Sequence, residues 1–296
     1  MFKRIFLFIL TNLLIITTIN IVLGVLGVNG YLTANGIDYQ SLIIICLVWG
    51  MGGAFISLLL SKTMAKWMMR VKIIDPGSAG QYAELVSMVH SLAMRANLPL
   101  PEVGVYESRA PNAFATGPTK SSSLVAVSTG LLTSMNRDEL EGVLAHEVSH
   151  IANGDMVTMT LLQGIINAFV LVLSRIIAYA IINSRNSSSN SSSSSGLNTL
   201  IVIVLQIVLS ILGSTVVCWF SRRREFRADK GSSDLAGRQK MIAALKSLQR
   251  NVGIAQPQRH ESFASLQISA PKSFISLFST HPPLEDRIRT LENNTL

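Results

Sequence analysis

An α+β membrane protein, mostly helical, with a small β-sheet and about four transmembrane helices, is the fold class this sequence predicts. Apolar residues gather in four stretches, Ile5 to Val28, Leu42 to Leu60, Val157 to Ile182 and Leu197 to Phe220. Each approaches the ~20 residues that a helix needs to cross ~30 Å of hydrocarbon. Of the 296 residues 49% are hydrophobic and 14% charged, an apolar excess for a chain of this length in water. The remaining segments carry short helical and extended patterns bounded by turn residues, as a domain folded in water requires.

The first stretch follows Lys3 and Arg4, as a secretory signal would, but it is longer than a signal core and no convincing small-residue cleavage site follows it. It is expected to be a retained anchor, pairing with the second stretch in a transmembrane hairpin over residues 1–71. Residues 72–156 are expected to fold in water. There Leu85, Met88, Val89 and Leu92 mark a helix over Gln81 to Ala96, which Asn97, Leu98 and Pro99 break. Glu102 to Tyr106 and Leu124 to Ser128 read as short strands around a loop from Ala110 to Thr119. The next helix starts at Asn136, an N-cap with Glu139 three residues on, and ends near Asn153 and Gly154. Acidic residues near its start suit the helix dipole. Residues 157–220 form a second transmembrane hairpin, whose Ser- and Asn-rich connection, residues 183–196, is expected to be disordered. Neither 72–156 nor 221–296 looks self-sufficient, so the two are expected to meet as one discontinuous domain.

The net charge of +8 does not point to nucleic acid, because the cations sit at the ends of apolar stretches instead of forming a basic domain. Lys62, Lys66, Arg70 and Lys72 follow the second stretch, and Arg222, Arg223, Arg224 and Arg227 follow the fourth. The segment Asn29 to Gln40 has no Lys or Arg, and Asn183 to Gly196 has only Arg185. By the positive-inside rule both termini and the water-soluble segments face the cytoplasm. Arg175 lies toward the outer end of the third stretch, where its stem can snorkel to the headgroups. Cys46 and Cys218 fall inside expected spans and read as packing residues.

Chemistry enters at His146-Glu147-Val148-Ser149-His150. Within a helix the two histidines project from one face a turn apart and can grip one zinc ion, while Glu147 can take a proton from a water that the ion activates. Leu140, Val143, Leu144 and Ile151 can bury the other side of that helix. A catalytic zinc needs a third protein ligand, and Glu225 is the best candidate, because Glu225-Phe226-Arg227-Ala228-Asp229 emerges from the fourth stretch on the same expected membrane side. Asp229, one turn on, could accept a hydrogen bond from a ligating histidine. A site inside the bilayer is disfavoured by the charge of Arg137, Asp138, Glu139 and Glu141. A metal transporter is disfavoured by spans nearly devoid of ionisable residues; a zinc-binding membrane scaffold without hydrolysis stays open.

The ordered motifs HEVSH at 146–150, EFRAD at 225–229, PNAFATG at 111–117 and HPPLEDRI at 281–288 resemble those of the HtpX membrane peptidases. These belong to the wider group of zinc peptidases that includes the CAAX prenyl proteases. The resemblance covers nearly the whole chain. It implies a zincin-like gluzincin core with one Zn2+ per chain, in a multi-pass protease of the bacterial inner membrane. Its substrates would be damaged or misfolded membrane proteins, cut from the cytoplasmic side in stress-linked quality control. It makes His146, His150 and Glu225 the metal ligands, Glu147 the general base and Asp229 the carboxylate behind a histidine. It places Asn112, Ala113, Phe114, Ala115, Thr116 and Gly117 at the edge of the cleft, where an extended substrate can add as a strand. It also gives His281 and Arg287 to the oxyanion. Read without the resemblance, residues 111–117 are a polar turn and His281 is a turn residue before two prolines.

Overall fold

The computed structural model describes residues 32–33, 36–188, 195–255 and 281–293. The first apolar stretch, Ile5 to Val28, lies outside them. Two compact units emerge, one from residues 1–57 and 160–215, the other from 58–159 and 216–296.

In the first unit a minimal antiparallel hairpin, β1 (Leu32–Thr33) and β2 (Gly36–Ile37), precedes helix α1 (Tyr39–Met68). Residues 160–188 of helix α5 (Asp155–Ser188) and 195–215 of helix α6 (Ser195–Ala236) supply the rest of its described residues. Among the described residues three helical segments are long and apolar enough to cross a membrane: Tyr39–Met68, Asp155–Ser184 and Leu200–Ala236. Helices α1 and α5 approach through small residues, because a Cβ on Gly50 would collide with the backbone of Ala168, and one on Gly164 would collide with Met51. Such close backbone approach is how helices associate where lipid removes the hydrophobic drive between them. Ile165, Phe169, Ile207 and Leu212 stay exposed, as lipid-facing side chains must.

Both ends of the segment 183–196 are helical, since α5 runs to Ser188 and α6 begins at Ser195. Once nucleated, a helix elongates cheaply past its apolar run, even through Ser and Asn. Helix α6 continues to Ala236 and carries Glu225 and Asp229 on its last turns.

The second unit is built on a four-stranded mixed sheet of order β3-β4-β6-β5. Strand β4 (Glu102–Tyr106) pairs parallel with β6 (Leu124–Ser128), while β3 (Lys72–Ile73) and β5 (Ala113–Thr116) flank them antiparallel. Val103, Val105, Val125 and Val127 alternate onto one face of the sheet. Leu85, Val89 and Leu92 of α2 (Ala83–Arg95) join them, as do Leu144, Val148 and Ile151 of α4 (Arg137–Asn153). Tyr106, Leu124 and Ala126 alternate to the other face, under Phe114. Each fully buried Leu, Ile or Val contributes roughly 1.5–3 kcal/mol.

The loop expected over Ala110 to Thr119 contains a strand, β5. Its pairing comes from β6, a partner that short-range turn signals do not reveal. Ser128 holds Asn112 twice, its N–H donating to the Asn112 carbonyl at 2.9 Å and its hydroxyl accepting the Asn112 N–H at 2.9 Å. Gly117, at φ 143°, then turns the chain where a Cβ would strike the Ser122 carbonyl.

Helix α4 begins with the expected capping box between Asn136 and Glu139 and ends on Gly154 in the left-handed region, φ 67°. Its middle is bare at Gly142, which lets the Lys240 carbonyl of α7 (Arg238–Ala255) approach to 2.5 Å of where a Cβ would sit. The Ser232 hydroxyl donates to the Gly142 carbonyl at 2.9 Å. Helix α8 (Leu284–Glu292) packs on α7 through Ile288 and Leu291.

Candidate metal centre

Helix α4 presents His146 and His150 one turn apart, both buried, with their Nε2 atoms 3.2 Å apart and their rings edge to face. Helix α6 brings the Glu225 carboxylate against them. Its Oε2 lies 3.6 Å from His146 Nε2 and its Oε1 3.5 Å from His150 Nε2. Tetrahedral zinc with ligand bonds of 2.0–2.1 Å separates neighbouring ligand atoms by about 3.3 Å, so this triangle has the dimensions of such a site. Among the described residues these three form the grouping able to hold a metal ion. Glu225 Oε1 is also buried with no hydrogen-bond partner, since 3.5 Å to His150 is too long for one. A buried carboxylate oxygen without a donor is costly unless a cation serves it. The residues therefore fit a divalent metal.

Each imidazole is held from behind. His146 Nδ1 faces Asp229 Oδ1 at 3.0 Å, and His150 Nδ1 faces Asp155 Oδ2 at 2.6 Å. A histidine that gives its Nδ1–H to a carboxylate turns its Nε2 lone pair forward, toward the common point. Arg287 of α8 is buried and grips Asp229, donating from Nε at 2.8 Å and from Nη2 at 2.6 Å. Its Nη1 lies 3.5 Å from Glu225 Oε2. His281, with an exposed ring, sets its Nδ1 2.9 Å from Glu225 Oε2. Glu147 is half-buried and accepts the Ala115 N–H of β5 at 2.8 Å.

Burial alone would push both histidines down in pKa, but the carboxylates overcome it. Asp229 and Glu225 hold His146 above its ordinary value, and Asp155 and Glu225 raise His150 to about 9. A metal ion must therefore displace a proton from this cluster as it binds.

Seven side chains singled out by sequence or resemblance thus meet in one cluster: His146, Glu147, His150, Glu225, Asp229, His281 and Arg287. Of Asn112 to Gly117, Ala115 reaches it through its backbone, Phe114 rests instead on Tyr106 with ring centroids 5.7 Å apart, and Ala113 and Thr116 pair along β6. Sequence reasoning missed Asp155. The available signal was an acid just past the left-handed glycine, five residues after His150, which reads as an ordinary acidic helix start.

Residues 80–295 match peptidase family M48. A protein named Protease HtpX homolog from Verminephrobacter eiseniae is 50% identical over 293 residues, covering 98% of each chain. Another of that name, from Bacillus licheniformis, is 52% identical over 299 residues, covering 98% of this chain and 99% of the relative. Among solved structures, the crystal structure of S. mikatae Ste24p matches with a TM-score of 0.61 at 20% identity, over 84% of this chain and 58% of that one. That likeness is one of fold, and the chain spans less than two thirds of Ste24p. Together with the apolar helices and the His-His-Glu cluster, these matches mean that the chain belongs to peptidase family M48 and is a membrane metalloprotease.

Proposed function

We propose that this protein is a zinc-dependent endopeptidase of the bacterial inner membrane, with His146, His150 and Glu225 holding one Zn2+ and Glu147 moving the proton. The observation that carries the reading is the convergence of two Nε2 atoms and one carboxylate at 3.2–3.6 Å, with Glu147 beside them. Two imidazoles and a carboxylate are a donor set that catalytic zinc sites use while keeping a position open. When bound, the ion supplies Lewis acidity at a water and at the scissile carbonyl, chemistry that these side chains lack.

The chain's own groups do the rest. The Ala115 N–H holds Glu147 Oε2, so Oε1 is assigned the proton of the attacking water. Glu147 then passes that proton to the amine nitrogen as the C–N bond breaks, and the carboxylate ends as it began. Asp229 keeps His146 in its tautomer, and Arg287 keeps Asp229 in place. His281 is the better donor for the oxyanion because its ring is exposed, whereas Arg287 is occupied by Asp229 and acts as a buried positive charge. Asn112 to Gly117 border the cleft. The Asn112 carbonyl points toward β6 and the Ala115 N–H away from it, so by alternation the Ala113 N–H and the Ala113 and Ala115 carbonyls face the open edge for an extended substrate, while the Ala115 N–H stays with Glu147.

Residues 72–156 and 221–296 are assigned to hydrolysis, and 1–71 and 157–220 to the two membrane hairpins. The distribution of Lys and Arg supports cleavage from the cytoplasmic side, and the resemblance to HtpX peptidases supports damaged or misfolded membrane proteins as substrates. The test is cleavage of unfolded casein by full-length protein in detergent. Chelation should abolish it and zinc restore it, and Glu147→Gln should keep the metal while kcat falls about 10²–10⁴-fold. Cleavage that survives chelation would overturn the reading.

A further inference from the structure

Asp155 is fully buried, although it is the first residue of α5, a position where acids ordinarily stay in water and favour the helix dipole. Its carboxylate turns back across the helix junction to His150. Gly154 makes this possible: its left-handed φ of 67° ends α4 and redirects the chain, so that residue 155 folds onto residue 150. The 2.6 Å contact between Oδ2 and His150 Nδ1 is short, as a charge-assisted hydrogen bond is, and Oδ1 faces Arg227 Nη2 at 3.6 Å. Burying a carboxylate is unfavourable unless specific partners compensate, and its hydrogen-bond partner His150 belongs to the site.

We propose that Asp155 is a positioning residue for metal binding, accepting the Nδ1–H of His150 so that Nε2 faces the ion. It does for His150 what Asp229, gripped by Arg287, does for His146. The two supports differ in origin, because Asp155 opens a membrane-spanning helix whereas Asp229 lies on the last turns of another. The second histidine is thus oriented by the first residue of a membrane helix, and the register of that helix start becomes part of the metal site.

The inference rests on the ligand assignment proposed above, and the experiment separates the two. Full-length wild type, Asp155→Asn, Asp155→Ala and His150→Ala are stripped of metal in detergent. Zinc Kd is measured by competition with a chromophoric chelator, the Co2+ absorption spectrum is recorded, and Tm is measured without metal. Zinc binding should weaken by about 10–100-fold in Asp155→Ala. Asp155→Asn keeps an oxygen acceptor without the charge and should weaken binding about five- to tenfold. The Co2+ bands should shift in both variants. A zinc Kd within twofold of wild type and an unchanged Co2+ spectrum in Asp155→Asn would overturn the proposal, even if Asp155→Ala fails to fold. A lowered metal-free Tm with wild-type affinity per folded molecule would leave Asp155 a helix residue only, and would overturn it too. Failure of wild type itself to bind zinc, or wild-type affinity in His150→Ala, would instead remove the ligand assignment.

Discussion

Two imidazoles facing each other at 3.2 Å cannot both point lone pairs inward without a cation or a proton between them. Burial alone would lower the pKa of His150, but Asp155 and Glu225 favour the charged ring and raise it from 6.5 to about 9. A pKa raised on folding contributes stability that is fully present below the unfolded value and lost as pH climbs through the folded one. The Tm of metal-stripped protein should therefore fall between pH 6.5 and about 9, and saturating zinc should flatten that fall, as differential scanning fluorimetry in detergent would show. The side chains of the cluster differ in how far the sequence reveals them. His146 and His150 announce themselves by their spacing, and Glu225 by its place after an apolar stretch. Asp155 did not, because its partnership depends on a backbone reversal at Gly154 that places side chains five residues apart in contact.

At the scale of elements, α4 presents both histidines, and two glycines, one inside it and one at its C-terminal end, matter for different reasons. Gly142 faces the Lys240 backbone, so an added methyl has nowhere to go. Gly154 has open space around its missing Cβ but a φ of 67°. Gly142→Ala should destabilise the protein by about 1–3 kcal/mol through overpacking. Gly154→Ala should cost about 1–2 kcal/mol through backbone strain, and Gly154→Asn, which tolerates that region, should recover much of it; denaturant or thermal unfolding of the three variants decides this. The helix was legible because its capping box and its glycine stop are local signals. Strand β5 was not, because its hydrogen bonds come from β6 and the residues that flank it, Pro111, Asn112 and Gly117, carry turn chemistry. Helices α5 and α6 extend beyond their apolar runs, because Ser, Asn and Arg after such a run do not end a helix already under way.

At the scale of the whole molecule, the apolar stretches and their flanking cations fix the expectation that both water-soluble segments lie on one side. Cysteines introduced at the exposed positions Ser121 and Glu285, with Cys46 and Cys218 replaced, should resist a membrane-impermeant thiol reagent in spheroplasts and react after lysis. Labelling of either one before lysis would place that segment outside. The family could be read from motifs spread between Pro111 and Ile288, and the match to residues 80–295 agrees with them. Chemistry that depends on distant segments is the harder part to read, since His146 and Glu225 come together only through the packing of α4 against α6. Zinc content and casein cleavage, measured together on full-length wild type and Glu225→Ala, probe that convergence most directly. Wild type should carry one zinc per chain and cleave, and Glu225→Ala should lose both; a Glu225→Ala protein that keeps its zinc and its turnover would contradict the three-ligand centre.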